Sequence, residues 1–127
     1  MESELRSLLV SPKAVAEKAL AESLRGLVAI VEDTGEIMPT RAFESLDIAR
    51  KVITYLLGLR AGVILENRST STASAEEIAS VLHLDLQRTR ETLSRLKRSI
   101  VAKTNEGYEI PLTRVEAACH ELSKRRN

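Results

Sequence analysis

Apolar residues recur along this chain at two spacings, and the spacings divide it into elements. In residues 2–9, Leu5, Leu8 and Leu9 share one helical face. Ser11-Pro12 marks the start of a second helix: a hydroxyl that caps free amides, then a proline whose missing N–H costs nothing at the first position. Val15, Ala16, Ala19 and Leu20 carry that helix to about Leu24, where Gly26 stops it. Residues 27–31 are apolar and β-branched, 32–35 have turn chemistry, and Glu36-Ile37-Met38 returns, which predicts a hairpin closed off by Pro39.

A denser pattern follows over residues 45–65. Ile48, Val52, Ile53, Tyr55, Leu56, Leu57, Leu59, Val63 and Ile64 surround a long helix on nearly every side. A helix that is apolar on most sides is buried on most sides, so this one is expected to be the central scaffold. Gly58 and Gly62 lie four apart, leaving room for another helix to approach or marking an early helix end. Residues 67–73 are polar and read as a loop.

The stretch 74–110 is the most informative. Ser74 and Glu77 have capping-box spacing, and the helix they open turns Ile78, Ala79, Val81 and Leu82 inward. His83-Leu84-Asp85 is a turn, and Asp85 can cap the next helix, which runs to about Arg98 with Thr89, Leu93 and Leu96 inward. Residues 100–104 and 108–110 form a hairpin about Asn105-Glu106-Gly107. Thr113 and Glu116 have the spacing of another capping box, opening a terminal helix to about Lys124.

Composition narrows the class. Of 127 residues, 43% are hydrophobic but only 2% aromatic, so the core is built from Leu, Ile, Val and Ala. That favours helix-on-helix packing and disfavours single-strand binding through base stacking. The formal net charge is only +1, so attraction to phosphate requires an uneven charge distribution. Such unevenness exists. Residues 86–103 carry six bases (Arg88, Arg90, Arg95, Lys97, Arg98, Lys103) against one acid, Glu91.

The chain also repeats itself. Sliding it by 73 residues aligns 3–37 with 76–110 without a gap, with nine identities including Glu4/Glu77, Leu9/Leu82, Leu20/Leu93, Val28/Val101 and Ile37/Ile110. Tandem duplication of one helix–turn–helix–hairpin unit is the expectation. In the first unit, residues 13–30 carry Lys13, Lys18 and Arg25 against Glu17 and Glu22, and the exposed face is otherwise small and nearly neutral. That unit also lacks a helix ahead of it to close its core, so its apolar face must be covered by the second unit, the long helix or another chain.

The order of short helix, tight turn, basic helix and hairpin in residues 74–110 resembles the winged helix-turn-helix family. The resemblance implies a mainly α protein with small β-hairpin wings: a degenerate half-winged unit at 1–40, a winged domain at 43–112 and a C-terminal helix at 113–127. It implies double-stranded DNA binding, with helix 85–98 in the major groove and wing 100–110 against the backbone or minor groove. Gln87, Arg88 and Arg90 would then be the base-contacting candidates. Glu91 and Ser94 project from the same face, Arg95 and Arg98 suit phosphates, and Lys103 and Asn105 sit on the wing. Thr89 departs from the pattern, since the family places a larger apolar residue there. Its methyl can pack and its hydroxyl can bond back to the helix. A transcriptional regulator acting as a homodimer is expected, and the alternative is a winged-helix scaffold subunit of a larger assembly.

Other chemistry finds little support. The single cysteine, Cys119, cannot form an internal disulfide and is expected to be a small buried hydrophobe in a cytoplasmic protein. His83 and His120 have no catalytic or metal partner near them in sequence. Glu76-Glu77 is better explained by capping than by acid–base work. No cofactor, enzyme activity, membrane segment or small-molecule effector is expected.

Overall fold

Side-chain caps set the frame of the helices. Ser11 accepts from the Ala14 amide, Asp47 from Arg50 and Asp85 from Arg88, each satisfying an amide that the first helical turn leaves without a partner. The computed structural model describes residues 2–124 of the chain. Helix α1 spans Glu2–Arg6 and α2 Pro12–Leu24, followed by a hairpin of β1 (Val28–Ile30) and β2 (Ile37–Pro39). A short α3 (Arg41–Glu44) leads into α4 (Ile48–Ile64). Then come α5 (Ala75–Leu82), α6 (Leu86–Leu96), a second hairpin of β3 (Ala102–Thr104) and β4 (Gly107–Glu109), and α7 (Val115–Ser123) after a 3-10 turn at Leu112–Arg114. The protein is thus mainly helical with two small antiparallel hairpins.

Helix α4 is the axis of the molecule. Val52, Ile53, Leu56, Leu57 and Leu59 are wholly withdrawn from solvent, and α2, α5, α6, α7 and both strands of the first hairpin pack around them. One continuous core runs from Ala16 on α2 to Leu122 on α7, so the two repeat-like units and the terminal helix share an interior. The apolar face of α2 is covered within the chain, by α4 and α7.

Several local expectations change. The long helix begins at Ile48, not near 45, because Asp47 caps it and residues 41–44 form their own turn of helix. Gly58 and Gly62 admit no second helix. A Cβ on Gly58 would stand 2.8 Å from Cδ1 of Ile37 on β2, and one on Gly62 would stand 2.6 Å from the stem of Arg68. The first hairpin and the following loop therefore lie against α4 at these positions. The expected capping box at Thr113 does not form. That residue lies inside the 3-10 turn, and α7 starts at Val115 after Arg114, which makes no side-chain cap. The first helix ends at Arg6, and Leu5, Leu8 and Leu9 do not face a core but are 70–73% exposed.

The two hairpins also differ. Ala29 and Ala102 correspond under the 73-residue slide, but they face Met38 and Glu109, which lie 71 apart, so the first hairpin's loop is two residues longer. The matches Glu36/Glu109 and Ile37/Ile110 therefore fall at different places in their hairpins. The gapless slide missed this because Glu32-Asp33-Thr34-Gly35 makes a wider turn than Asn105-Glu106.

Candidate nucleic-acid interface

The sequence of α5 to β4 builds a framed, exposed, basic helix. Ser74 and Glu77 form the expected capping box: the serine hydroxyl accepts from the Glu77 amide at 3.0 Å and the glutamate accepts from the Ser74 amide at 3.2 Å. Helix α5 then ends at His83, whose backbone adopts a left-handed conformation with φ 57°. This lets the chain reverse at once into α6. Ile78, Ala79 and Leu82 are buried, but Val81 is 48% exposed. The inward assignment of Val81 fails because the helix is short and its apolar stripe is narrower than the sequence pattern.

Helix α6 seats itself through Thr89, Thr92 and Leu93. Thr89 is fully buried, and its hydroxyl donates to the Asp85 carbonyl at 2.8 Å, so the polar atom is satisfied within the helix while the methyl packs. Leu96 is only half-buried, and the helix ends there, so Lys97 and Arg98 lie just past it. This seating fixes which face is outward. Gln87, Arg88, Arg90, Glu91, Ser94, Arg95 and Arg98 are all exposed.

The wing is tied to the scaffold through its base. Arg60 on α4 donates from Nε to the Ile110 carbonyl at 3.1 Å and from Nη2 to Glu109 Oε1 at 3.1 Å, and Ser71 Oγ donates to the same carboxylate oxygen at 2.8 Å. Ala73 pairs with Tyr108 through two backbone hydrogen bonds, so the loop before α5 acts as a third, one-residue edge of the wing. Gly107 makes that edge possible. Its φ is +140°, and a Cβ there would lie 2.7 Å from the Ala73 carbonyl oxygen. Lys103 stands opposite Tyr108 with its ammonium 5.7 Å from the ring centre.

These elements enclose a shallow cleft of about 300 Å³ between α5, α6 and the wing. Arg90, Lys103 and Asn105 line it, three residues that the sequence placed on separate elements. Glu76 and Glu106 line it too. Sequence reasoning missed the role of Glu76. Its carboxylate accepts from Arg90 Nη2 at 2.6 Å, and the exposed pair links α5 to α6. A hydrogen bond from its own backbone amide, and then the Arg90 guanidinium, hold the Glu76 carboxyl below its usual value. A complementary charge on α6 fourteen residues away was a readable signal, but only once the turn at His83 was known to fold one helix onto the other.

The remaining cations of α6 are less engaged. Arg95 donates from Nη2 to the Thr92 hydroxyl at 3.4 Å, and Gln87 donates to Glu91 at 3.3 Å. Among the described residues, Arg88, Lys97 and Arg98 make no ion pair with a carboxylate. The first unit presents a different surface. Its hairpin loop exposes Glu32, Asp33 and Glu36 with no base beside them in sequence, and α2 exposes Lys13, Ala14, Glu17, Lys18, Ala21 and Glu22.

Cys119 is buried as expected, and burial pushes its thiol above the ordinary value. His83 and His120 are exposed, and among the described residues no cluster of three or more His, Cys, Asp or Glu could hold a metal. No described helix is long and apolar enough to cross a membrane. Comparison with protein-family models, curated proteins and solved structures finds no match for this chain.

Proposed function

We propose that this protein binds double-stranded DNA as a winged helix-turn-helix protein and regulates transcription as a homodimer. The observation that carries this reading is the outward face of α6: every polar side chain assigned to it from sequence is exposed, while Thr89, Thr92 and Leu93 anchor the opposite face. A rigid helix presenting Gln87, Arg88 and Arg90 near its start has the donors that read guanine and adenine edges in the major groove. Arg95 and Arg98, further along, suit phosphates, and Lys103 and Asn105 extend the basic surface onto the wing. The protein then supplies positioning and hydrogen-bond donors, and no covalent step is involved.

Titration of a labelled duplex at increasing salt tests this. Neutralising several phosphates makes the logarithm of the binding constant fall linearly with that of salt concentration, by about 0.9 per phosphate contact. Absence of any duplex binding at low salt would overturn the proposal.

A second reading, a winged-helix scaffold subunit of a larger assembly, is favoured by the first unit. Its acidic hairpin loop and alanine-lined helix face suit a protein partner better than a phosphate backbone. Retention of a partner protein without any salt-sensitive duplex binding would select it.

A further inference from the structure

Helix α6 carries one acid among its outward bases, and that acid stands at their centre. Glu91 lies one turn from Gln87 and Arg88 on one side and one turn from Ser94 and Arg95 on the other, and all five are exposed. The neighbouring carboxylates have tasks within the fold: Asp85 caps the helix at the Arg88 amide, and Glu76 holds Arg90. Glu91 has no such task. A glutamate four residues ahead of an arginine has the favourable order for an ion pair along a helix, but Arg95 turns instead to the Thr92 hydroxyl at 3.4 Å. Among the described residues Glu91 forms no ion pair, and its carboxylate accepts from the neutral Gln87 amide at 3.3 Å.

An anion at this position is unfavourable against a duplex unless a base donates to it, because the phosphates on both sides of the groove repel it. In the major groove the donors are the exocyclic amino groups of cytosine and adenine. Adenine N6 lies beside N7, an acceptor that repels a carboxylate, whereas cytosine N4 lies beside a C–H. We propose that Glu91 is the specificity-determining residue of this surface. It accepts a hydrogen bond from N4 of a cytosine in a C·G pair, while Arg88 donates to the guanine of the adjoining pair. Helical neighbours at this spacing have Cβ atoms about 5–6 Å apart, so two long side chains reach across one base-pair step of about 3.4 Å. Gln87 positions the carboxylate through its amide. The inference rests on the duplex-binding reading above and assigns it a base.

Selection from random duplexes with the wild type, Glu91→Ala and Glu91→Gln tests it. The wild type should select a C·G pair at one fixed position with about a tenfold preference. Glu91→Ala should lose that preference at that position alone and bind duplexes of unrelated sequence more tightly, since a like charge leaves the interface. Glu91→Gln keeps the size of the side chain and should move the preference to adenine, whose N6 and N7 one amide engages together. A role confined to helix stability would change no base. Glu91 is exposed, so both variants should keep the wild-type circular dichroism. A wild type that selects no C·G pair, or variants that select the wild-type sequences, overturn the proposal and leave duplex binding standing. A wild type that binds no duplex at low salt overturns it together with the DNA reading.

Discussion

Arg90 and Glu76 meet at 2.6 Å across the turn between α5 and α6, on the rim of the cleft that the wing also lines. A guanidinium that would face a phosphate or a base is held in advance by a carboxylate of its own molecule. The pair is exposed, so its contribution to stability is small and screened by salt. Its larger consequence concerns ligand access, because binding an anion through Arg90 requires that the glutamate be displaced or left in a repulsive position.

Removing the carboxylate should therefore strengthen duplex binding. Glu76→Gln is expected to raise affinity by about threefold at moderate salt, the effect of freeing one cation for the backbone. The capping box of Ser74 and Glu77 is untouched, so helicity should not change. Fluorescence anisotropy with a labelled duplex measures it. Unchanged or weaker binding would show that Arg90 does not face the nucleic acid.

The same pair sets a pH dependence. Because the Glu76 carboxyl is held below its usual value of 4.5, the folded state favours its charged form. The stability it contributes is present above about pH 4.5 and is lost as pH falls through the depressed value. Urea denaturation of the wild type and Glu76→Gln should differ slightly at neutral pH and converge in acid.

Replacing Arg88, Arg90 and Arg95 together with alanine should reduce duplex binding by about a hundredfold or more and flatten its salt dependence. All three are exposed, so the circular dichroism spectrum should be preserved. A triple variant that binds as the wild type does would remove α6 from the interface.

Gly107→Ala should loosen the wing. The residue's φ of +140° is reserved for glycine, and the added methyl would meet the Ala73 carbonyl oxygen at 2.7 Å. A loss of about 2 kcal/mol in stability is expected, by analogy with other strained sites. Hydrogen exchange should localise it to the Ala73 and Tyr108 amides, which pair with each other's carbonyls.

Thr54 offers a change of the opposite sign. Its hydroxyl is fully buried on α4 with no hydrogen-bond partner among the described residues. Thr54→Val keeps the shape and removes the desolvated polar atom, which should stabilise the fold by about 1 kcal/mol in chemical denaturation. Destabilisation would point to a buried water bound at that hydroxyl.

Much of this arrangement was legible along the chain. The caps at Ser11, Ser74 and Asp85 and the stops at Gly26 and His83 act over three or four residues, so short-range chemistry fixes them. The all-round apolar pattern of residues 48–64 likewise requires a helix surrounded by others, and the alternation of buried Thr89 and Leu93 with exposed Arg88 and Arg90 follows from helical periodicity. Those local rules determined the element order, the central position of α4 and the outward basic face of α6. Burial depends instead on what lies across from a residue, and the tertiary structure alone decided that. It left Leu5, Leu8 and Leu9 in solvent, and it packed α7, distant in sequence, along α2. It filled the space at Gly58 with Ile37 rather than a helix, and it brought Glu76 against Arg90, a pairing between residues that no periodicity connects.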